Sequence, residues 1–148
     1  FLKDYSNLYA NEQHINGTAL FFARQEYSIP SYIHKTMFQN NIIYKRNIIV
    51  VVKLTGEPRG ISTLLTPLDE GLELLVVYVG YMEIVDIDSV LKTKGIEEKT
   101  IFYGQEEIVS KNPIWNLFGA IKNLSPSFVS FYNFPHQKLI GVIRRVEI

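Results

Sequence analysis

The stretch that most restricts the fold is a run of apolar residues at positions 47–54. It begins with Asn47, ends with Leu54 and holds a succession of β-branched isoleucines and valines. Such side chains are stiff at χ1 and favour strands over helices. Because the run does not alternate with polar residues, it predicts a central strand that is covered on both faces.

Further short apolar runs, each bounded by turn residues, predict more strands. They lie at residues 18–22, 61–66, 72–83, 99–103 and 139–148. The second and third runs are separated by five residues that include Pro67 and Gly71, which is typical of a hairpin connection. The chain is therefore predicted to carry a mixed sheet.

Three segments between these strands have the punctuation of helices. The first follows Pro30 and places Ile33, Met37 and Phe38 on one face, and it is expected to end near residues 40–41. The second begins after Asp86, a good N-cap, and ends at Gly95, a good C-terminal stop. The third starts at residues 112–113 and carries a wide apolar stripe over residues 114–124. The prediction is one compact α/β (α+β-like) domain with a mixed β-sheet and about three helices.

Composition excludes several classes of function. Lys plus Arg and Asp plus Glu number 15 each, so the chain lacks the basic excess of most nucleic-acid-binding proteins. There is no cysteine, which removes disulfides, thiolate metal sites and cysteine nucleophiles. The apolar runs fall far short of the roughly 20 residues that a membrane-spanning helix needs. The first residue is Phe1, so we expect a piece of a longer protein.

No motif predicts catalysis, a metal or a nucleotide-binding loop. The histidines have no spacing suited to metal binding, and they are His14, His34 and His136. No nucleophile elbow and no glycine-rich phosphate loop occurs. We therefore expect no enzyme, no metal and no cofactor, apart from a regulatory nucleotide.

The carboxylates have structural explanations at this level. Asp86 and Asp88 stand at a predicted helix start, where they favour capping. Two adjacent glutamate pairs, at residues 97–98 and 106–107, point to opposite faces of a strand, so neither pair converges on one substrate atom. We expect these glutamates to be solvated.

Two basic pairs remain as candidate binding residues, namely Lys45 with Arg46 and Arg144 with Arg145. Their simplest role is to keep the protein soluble and to guard a sheet edge with charge. The functional alternatives are contact with an anion or nucleotide, or with the negative surface of a membrane leaflet.

Several strings, read in order, resemble the cytoplasmic C-terminal region of the potassium uptake permease family, often written KUP/HAK/KT. Residues 17–21 resemble its opening G-T-[AG]-[VIL]-F element, residues 78–83 its Y-G-[FYW]-x-[ED] element and residues 102–106 its F-[FY]-x-x-[HRQ]-E element. The resemblance covers residues 15–148. It departs from the family pattern at residues 44–46, where His-Glu-Arg is frequent in the family, and at residues 125–126, which interrupt a helix.

The resemblance implies a parent protein with about twelve membrane helices that imports K⁺, with H⁺ as the coupled ion. On this basis residues 1–16 would be an approach segment from the membrane part, and residues 17–148 the C-terminal domain on the cytoplasmic side of the cell membrane. Its implied partners are its own transmembrane domain and a second copy in a homodimer. Two hypotheses follow from the resemblance, namely a regulatory and assembly domain and a sensor of cyclic di-AMP. The rival from another class is a small stand-alone α/β enzyme. For assembly, the interrupted aromatic helix at residues 115–134 would supply an apolar surface.

Overall fold

A computed structural model describes residues 1–109 and 138–147 of the chain, with side chains for residues 1–104 and 138–142. It contains a six-stranded sheet with the order β3-β4-β2-β1-β5-β6. The strands are β1 (Ile15–Ala23), β2 (Tyr44–Thr55), β3 (Ile61–Asp69), β4 (Leu72–Gly80), β5 (Glu98–Val109) and β6 (Leu139–Glu147). The helices are α1 (Leu2–Asn11), α2 (Ser31–His34) and α3 (Ile87–Thr93), and α2 continues as a π-helical turn, Lys35–Gln39.

The sheet is mixed, as predicted. Five strands run parallel, and β3 alone runs antiparallel, along β4 at one edge. β3 connects β2 to β4, so an antiparallel strand takes the place of the usual crossover helix at this step. The predicted hairpin is confirmed, and its connection is tighter than expected because the two strands are already paired at Asp69 and Leu72.

The run at residues 47–54 forms the middle of β2, between β1 and β4. Ile48 and Val50 pack with α3 on one face, whereas Ile49 and Val51 pack with α1 and α2 on the other. All four side chains are buried. The predicted central strand, covered on both faces, is therefore confirmed, and the fold is a compact α/β arrangement.

Two of the three predicted helices lie within the described residues and are confirmed. In the first, Ile33 and Met37 are fully buried, but its last turn is π-helical rather than α-helical. In the second, the Asp86 carboxylate accepts hydrogen bonds from the backbone N–H and the hydroxyl of Ser89. The predicted apolar helix at residues 114–124 and its extension to residue 134 lie outside the described residues.

The first segment holds more structure than the sequence suggested. Residues 1–16 were expected to be an approach segment with one helical turn at most, yet α1 is ten residues long. Its periodicity was hidden because only Tyr5 is fully buried, and the rest of the helix is polar or half-exposed. One buried side chain per ten residues produces no apolar stripe that a sequence pattern could reveal.

Candidate functional site

The first basic pair lies at the N-terminal end of β2. Lys45 is exposed, and no ion pair involves it among the side chains that the structure describes. Arg46 forms an ion pair with Glu73 of β4, with 2.5 Å between Nε and Oε2. Both side chains of this pair are partly buried, so the charge of Arg46 is already balanced within the sheet. Of the two residues, Lys45 has the charge that is available for a ligand.

The second basic pair lies at the C-terminal end of β6. The backbone pairs Arg144 with Glu106 and Arg145 with Glu107 of β5, while their side chains fall outside the described part. The neighbouring strands β2, β1, β5 and β6 all run in the same direction. The start of β2 and the end of β6 therefore lie at opposite ends of the strands. The structure does not bring the two basic pairs together, and each stays a separate prediction.

The strand order reverses at a point that no motif predicted. From β1 the chain moves outward on one side through β2 and β4, and then returns to the other side of β1 through β5 and β6. In open α/β sheets this reversal separates the loops that leave the neighbouring strands, and ligands bind beyond the carboxyl ends of the strands at that point. Here the reversal lies between β1 and β5, and this point is the candidate site.

Tyr32 of α2 occupies the place where the two strands diverge. The pairing of β1 with β5 ends at Phe21 and Phe102. Just beyond it, the buried Tyr32 hydroxyl lies 2.6 Å from the carbonyl oxygen of Phe22 and 3.2 Å from that of Phe102, and it donates to these carbonyls. Burial raises the pKa of Tyr32, so this hydroxyl stays a neutral donor. Tyr32 thus links the two strands at the reversal.

Gly104 of β5 makes room for that tyrosine. A Cβ atom at this position would lie 2.6 Å from a carbon of the Tyr32 ring. A side chain there would push the ring away, since heavy atoms do not approach so closely. The glycine therefore belongs to the packing at the reversal, in agreement with close packing at an isolated strand glycine.

Charged residues follow β1 near the reversal. Arg24 directly follows the buried end of β1, is exposed, and forms no ion pair with any side chain that the structure describes. The Glu26 carboxylate lies 2.7 Å from Nζ of Lys53, near the end of β2. The hydrogen bond to Glu26 raises the pKa of Lys53, whose ammonium also lies 6.0 Å from the centre of the Tyr78 ring. Of these charges, that of Arg24 is the one that no described side chain balances, so Arg24 can meet an anion.

Sequence reasoning missed Arg24, Glu26 and Lys53. They follow or end ordinary strands, and no spacing in the sequence relates residues 24–26 to residue 53. The only available signal was the position of Arg24 directly after a buried strand. That signal acquires meaning once the strand order shows that this strand borders the reversal.

The predicted structural roles of the acidic residues hold for the aspartates but not for Glu98. Asp86 caps α3, and the Asp88 carboxylate lies 2.6 Å from Nζ of Lys92. Glu97 is exposed as expected, whereas Glu98 is buried and lies 3.1 Å from Nζ of Lys138. The expectation that Glu98 is solvated was wrong, because the residue that precedes β6 covers it and balances its charge.

The histidines have local contacts. The His14 ring stacks on the Tyr9 ring, with 3.9 Å between the ring centres, and the His34 ring packs against Phe1 and Phe38. Within residues 1–109 and 138–147, no group of three potential metal ligands converges. His136 lies outside the described residues.

A shallow groove of about 380 Å³ runs between the edge strand β3 and helix α3. Ile61 and Thr63 line one side, and Val90 and Thr93 line the other. Over the described part of the chain, no helix is long and apolar enough to cross a membrane.

Comparison with known proteins relates the whole chain to one family. Residues 16–148 match the model of the "K+ potassium transporter C-terminal domain". The chain is 48% identical to a protein named "Probable potassium transport system protein Kup" from Methanospirillum hungatei, and 50% identical to a protein of the same name from Methanosarcina acetivorans.

Both alignments cover 100% of this chain but only 24% and 25% of the respective relatives, so the chain spans about a quarter of their length. No solved structure matches the chain significantly. The match of the family model to residues 16–148, together with these identities, settles the family. The chain belongs to the family of the K⁺ potassium transporter C-terminal domain.

Proposed function

We propose that this chain is the cytoplasmic regulatory and assembly domain of a K⁺ uptake permease that couples K⁺ to H⁺, and that it catalyses no reaction itself. The observation that carries the proposal is the alignment of the entire chain with about a quarter of proteins named for potassium transport. That quarter forms one sheet with a hydrophobic core on each face. A unit with its own core can move or dock as a body, which suits regulation and assembly.

The cytoplasmic position is tested by labelling in the full-length protein. The chain has no cysteine, and Tyr27 is 96% exposed, so Tyr27→Cys places one reactive thiol on the surface. In an otherwise cysteine-free parent, we expect an impermeant maleimide to label inside-out vesicles but not right-side-out vesicles. Leu20→Cys, which is fully buried, is the matched control for accessibility. Labelling from the outer side would overturn the cytoplasmic assignment.

The regulatory and assembly role is tested by comparing the full-length protein with a form that lacks residues 17–148. We expect the truncation to change the rate of K⁺ uptake at equal membrane abundance, or to convert the proposed homodimer into a monomer. The 148-residue chain is also expected to run as a dimer in light scattering. If uptake and oligomeric state were both unchanged by truncation, the proposed role would be wrong.

A second candidate is a sensor of a nucleotide such as cyclic di-AMP, and the reversal of strand order between β1 and β5 favours it. Arg24 directly follows β1 there, and by the register of β6 the backbone of Arg144 and Arg145 lies at the same C-terminal end of the strands. Lys45 and Arg46 lie at the opposite end of the strands and stay a separate candidate contact, so variants at Arg24 and at Lys45 distinguish binding at the two ends.

The sensor is tested by thermal unfolding with a panel that includes cyclic di-AMP and ATP. At 100 times its Kd a ligand stabilises the native state by roughly 2.7 kcal/mol. This corresponds to a rise in Tm of about 5–10 °C for a domain of this size, at roughly 2–4 °C per kcal/mol. Arg24→Ala should abolish the shift and Lys45→Ala should preserve it. If no nucleotide shifts Tm even at concentrations well above micromolar, the sensor hypothesis is excluded.

The third hypothesis, a stand-alone enzyme, receives no support from the names of the relatives, which refer to potassium transport. Both remaining candidates are domains of a K⁺ transporter, so an assay of K⁺ uptake by the full-length protein can be used to test either of them.

A further inference from the structure

Helix α1 (Leu2–Asn11) precedes the region that the family model matches, yet it is packed onto the domain. Its contacts lie where β2 and β4 begin, a region that we call the N-terminal edge of the sheet. Ser6 donates a hydrogen bond to the Asp69 carboxylate, and the Tyr9 hydroxyl donates to the carbonyl oxygen of Lys45 at 2.8 Å. Both contacts are exposed to solvent, where a hydrogen bond contributes little net stability.

Tyr5 is the anchor of this helix. Its side chain is fully buried, unlike any other in α1. Its hydroxyl donates to the carbonyl oxygen of Gly71 at 3.0 Å and accepts from Nδ2 of Asn47 at 3.0 Å. The docking of α1 therefore depends chiefly on one aromatic side chain, with partly buried Phe1, Leu8 and Tyr9 beside it.

Asn47, the partner on the sheet, keeps other hydrogen bonds when Tyr5 is removed. Its Oδ1 accepts from the backbone N–H of Tyr44 at 3.1 Å, and its Nδ2 donates to the carbonyls of Tyr44 at 2.7 Å and Gly71 at 3.2 Å. Release of α1 thus leaves no buried polar group of Asn47 without a partner. The penalty that normally opposes such a release, an orphaned donor, does not arise.

Once released, the helix is also expected to be only marginally stable. It is ten residues long, and its N-cap residue, Phe1, makes no capping hydrogen bond from its side chain. Isolated helices shorter than about 12–15 residues are marginal in water. Release and unfolding of α1 should therefore occur together, as one local opening.

We propose that α1 is a detachable strap, held on the N-terminal edge of the sheet by Tyr5 and released as a unit while the sheet stays folded. The preceding part of the polypeptide can then control docking of the strap by pulling on it. This controlling role rests on the proposed function, whereas the detachment itself is a property of the 148-residue chain.

Native-state hydrogen exchange of the 148-residue chain tests the detachment. We expect the amides of α1 to exchange faster than those of β2 and β4, by about tenfold or more, the factor that corresponds to about 1.4 kcal/mol. Tyr5→Ala should bring α1 close to the exchange rate of a free peptide and leave the protection of β2 and β4 unchanged. Tyr27→Ala removes an exposed tyrosine and should change the protection of neither α1 nor the two strands.

Equal protection of α1 and the sheet in the unmodified chain would show that they open only together, and the strap would be wrong. The same conclusion would follow if Tyr5→Ala reduced the protection of β2 as much as that of α1. Tyr5→Phe, which loses the hydroxyl alone, covers the case in which Tyr5→Ala does not fold, and it should lower protection in α1 only. None of these results depends on K⁺ uptake, so failure of the strap and failure of the proposed function are distinguishable.

Discussion

At the scale of single residues, the N-terminal edge of the sheet depends on one buried amide. Asn47 opens the apolar run of β2 and is fully buried. Its side chain bonds both backbone groups of Tyr44 and the carbonyl of Gly71, and so ties β2 to the turn between β3 and β4. A buried amide with this many partners is costly to remove because the groups around it lose their bonds.

We expect Asn47→Ala to destabilise the chain by about 2–3 kcal/mol, since a buried group left without a partner costs about 1–3 kcal/mol. The measurement is the midpoint of urea unfolding at an unchanged m-value. Asn7→Ala, at an exposed position of α1, is the control and should stay within about 0.5 kcal/mol of the original. A small effect of Asn47→Ala would mean that water replaces the amide at this edge.

The contact between Ser6 and Asp69 predicts a dependence on pH. The hydrogen bond from Ser6 holds the pKa of Asp69 below its ordinary value of 3.8. A carboxylate whose folded pKa is lowered stabilises the fold above its unfolded pKa, and that contribution is lost as the pH falls through the folded value. Protection of α1 should therefore be constant near neutral pH and decrease below about pH 3.8.

Ser6→Ala is the matched variant for this effect. It should lower the protection of α1 at pH 6, and the difference from the original chain should shrink as Asp69 becomes protonated. If the difference persisted unchanged once NMR showed Asp69 to be protonated, the hydrogen bond would not depend on the charge of Asp69.

At the scale of elements, α1 packs on the turn of the β3–β4 hairpin, and the conformation of that turn suits the contact. Gly71 has a φ of +66°, and an added Cβ atom would collide with the Tyr9 ring. Positive φ costs an L-residue roughly 1–2 kcal/mol, so glycine suits the turn for two reasons. The conformation of the turn therefore matches the helix that packs on it in the docked state.

Gly71→Ala should destabilise the chain by about 1–2 kcal/mol and should loosen α1 in addition. The measurements are Tm and hydrogen exchange of α1. Gly56→Ala provides the comparison, because Gly56 has neither a positive φ nor a neighbour within 4 Å of an added Cβ. Equal effects at the two positions would contradict the special role of the turn.

At the scale of the whole molecule, one sheet separates two hydrophobic cores. Neighbouring residues of β2 contribute to different cores, as Ile48 packs with α3 and Ile49 packs with α1 and α2. Ile48 is 0% and Ile49 is 1% exposed. Both faces of the central strand are therefore equally sensitive to lost volume.

Ile48→Ala and Ile49→Ala should each cost about 2–5 kcal/mol, the usual range for such truncations in a core. Ile61→Ala on the edge strand, where Ile61 is 44% exposed, is the same substitution and should cost markedly less. Chemical unfolding of the three variants at one temperature decides the comparison. If only one of the two β2 variants were destabilised, the sheet would not be covered on both faces.

Local patterns in the sequence were sufficient for the fold class, for the central strand and for the described helices after Pro30 and Asp86. Strand propensity, capping residues and hairpin spacing act over a few residues, so they can be read without knowing the fold. The length of α1 escaped this reasoning because its docking depends on a single buried tyrosine rather than on an apolar stripe.

The candidate site was decided by the tertiary structure. Arg24 and Tyr32 acquire their roles because β5 returns to the far side of β1, and strand order is a long-range property that no local spacing encodes. The shared direction of β2 and β6 separates Lys45 and Arg46, at the start of one strand, from Arg144 and Arg145, near the end of the other, although the two pairs look equivalent in the sequence. Composition and local pattern determined which elements form, and packing of the sheet between its two cores determined which residues meet.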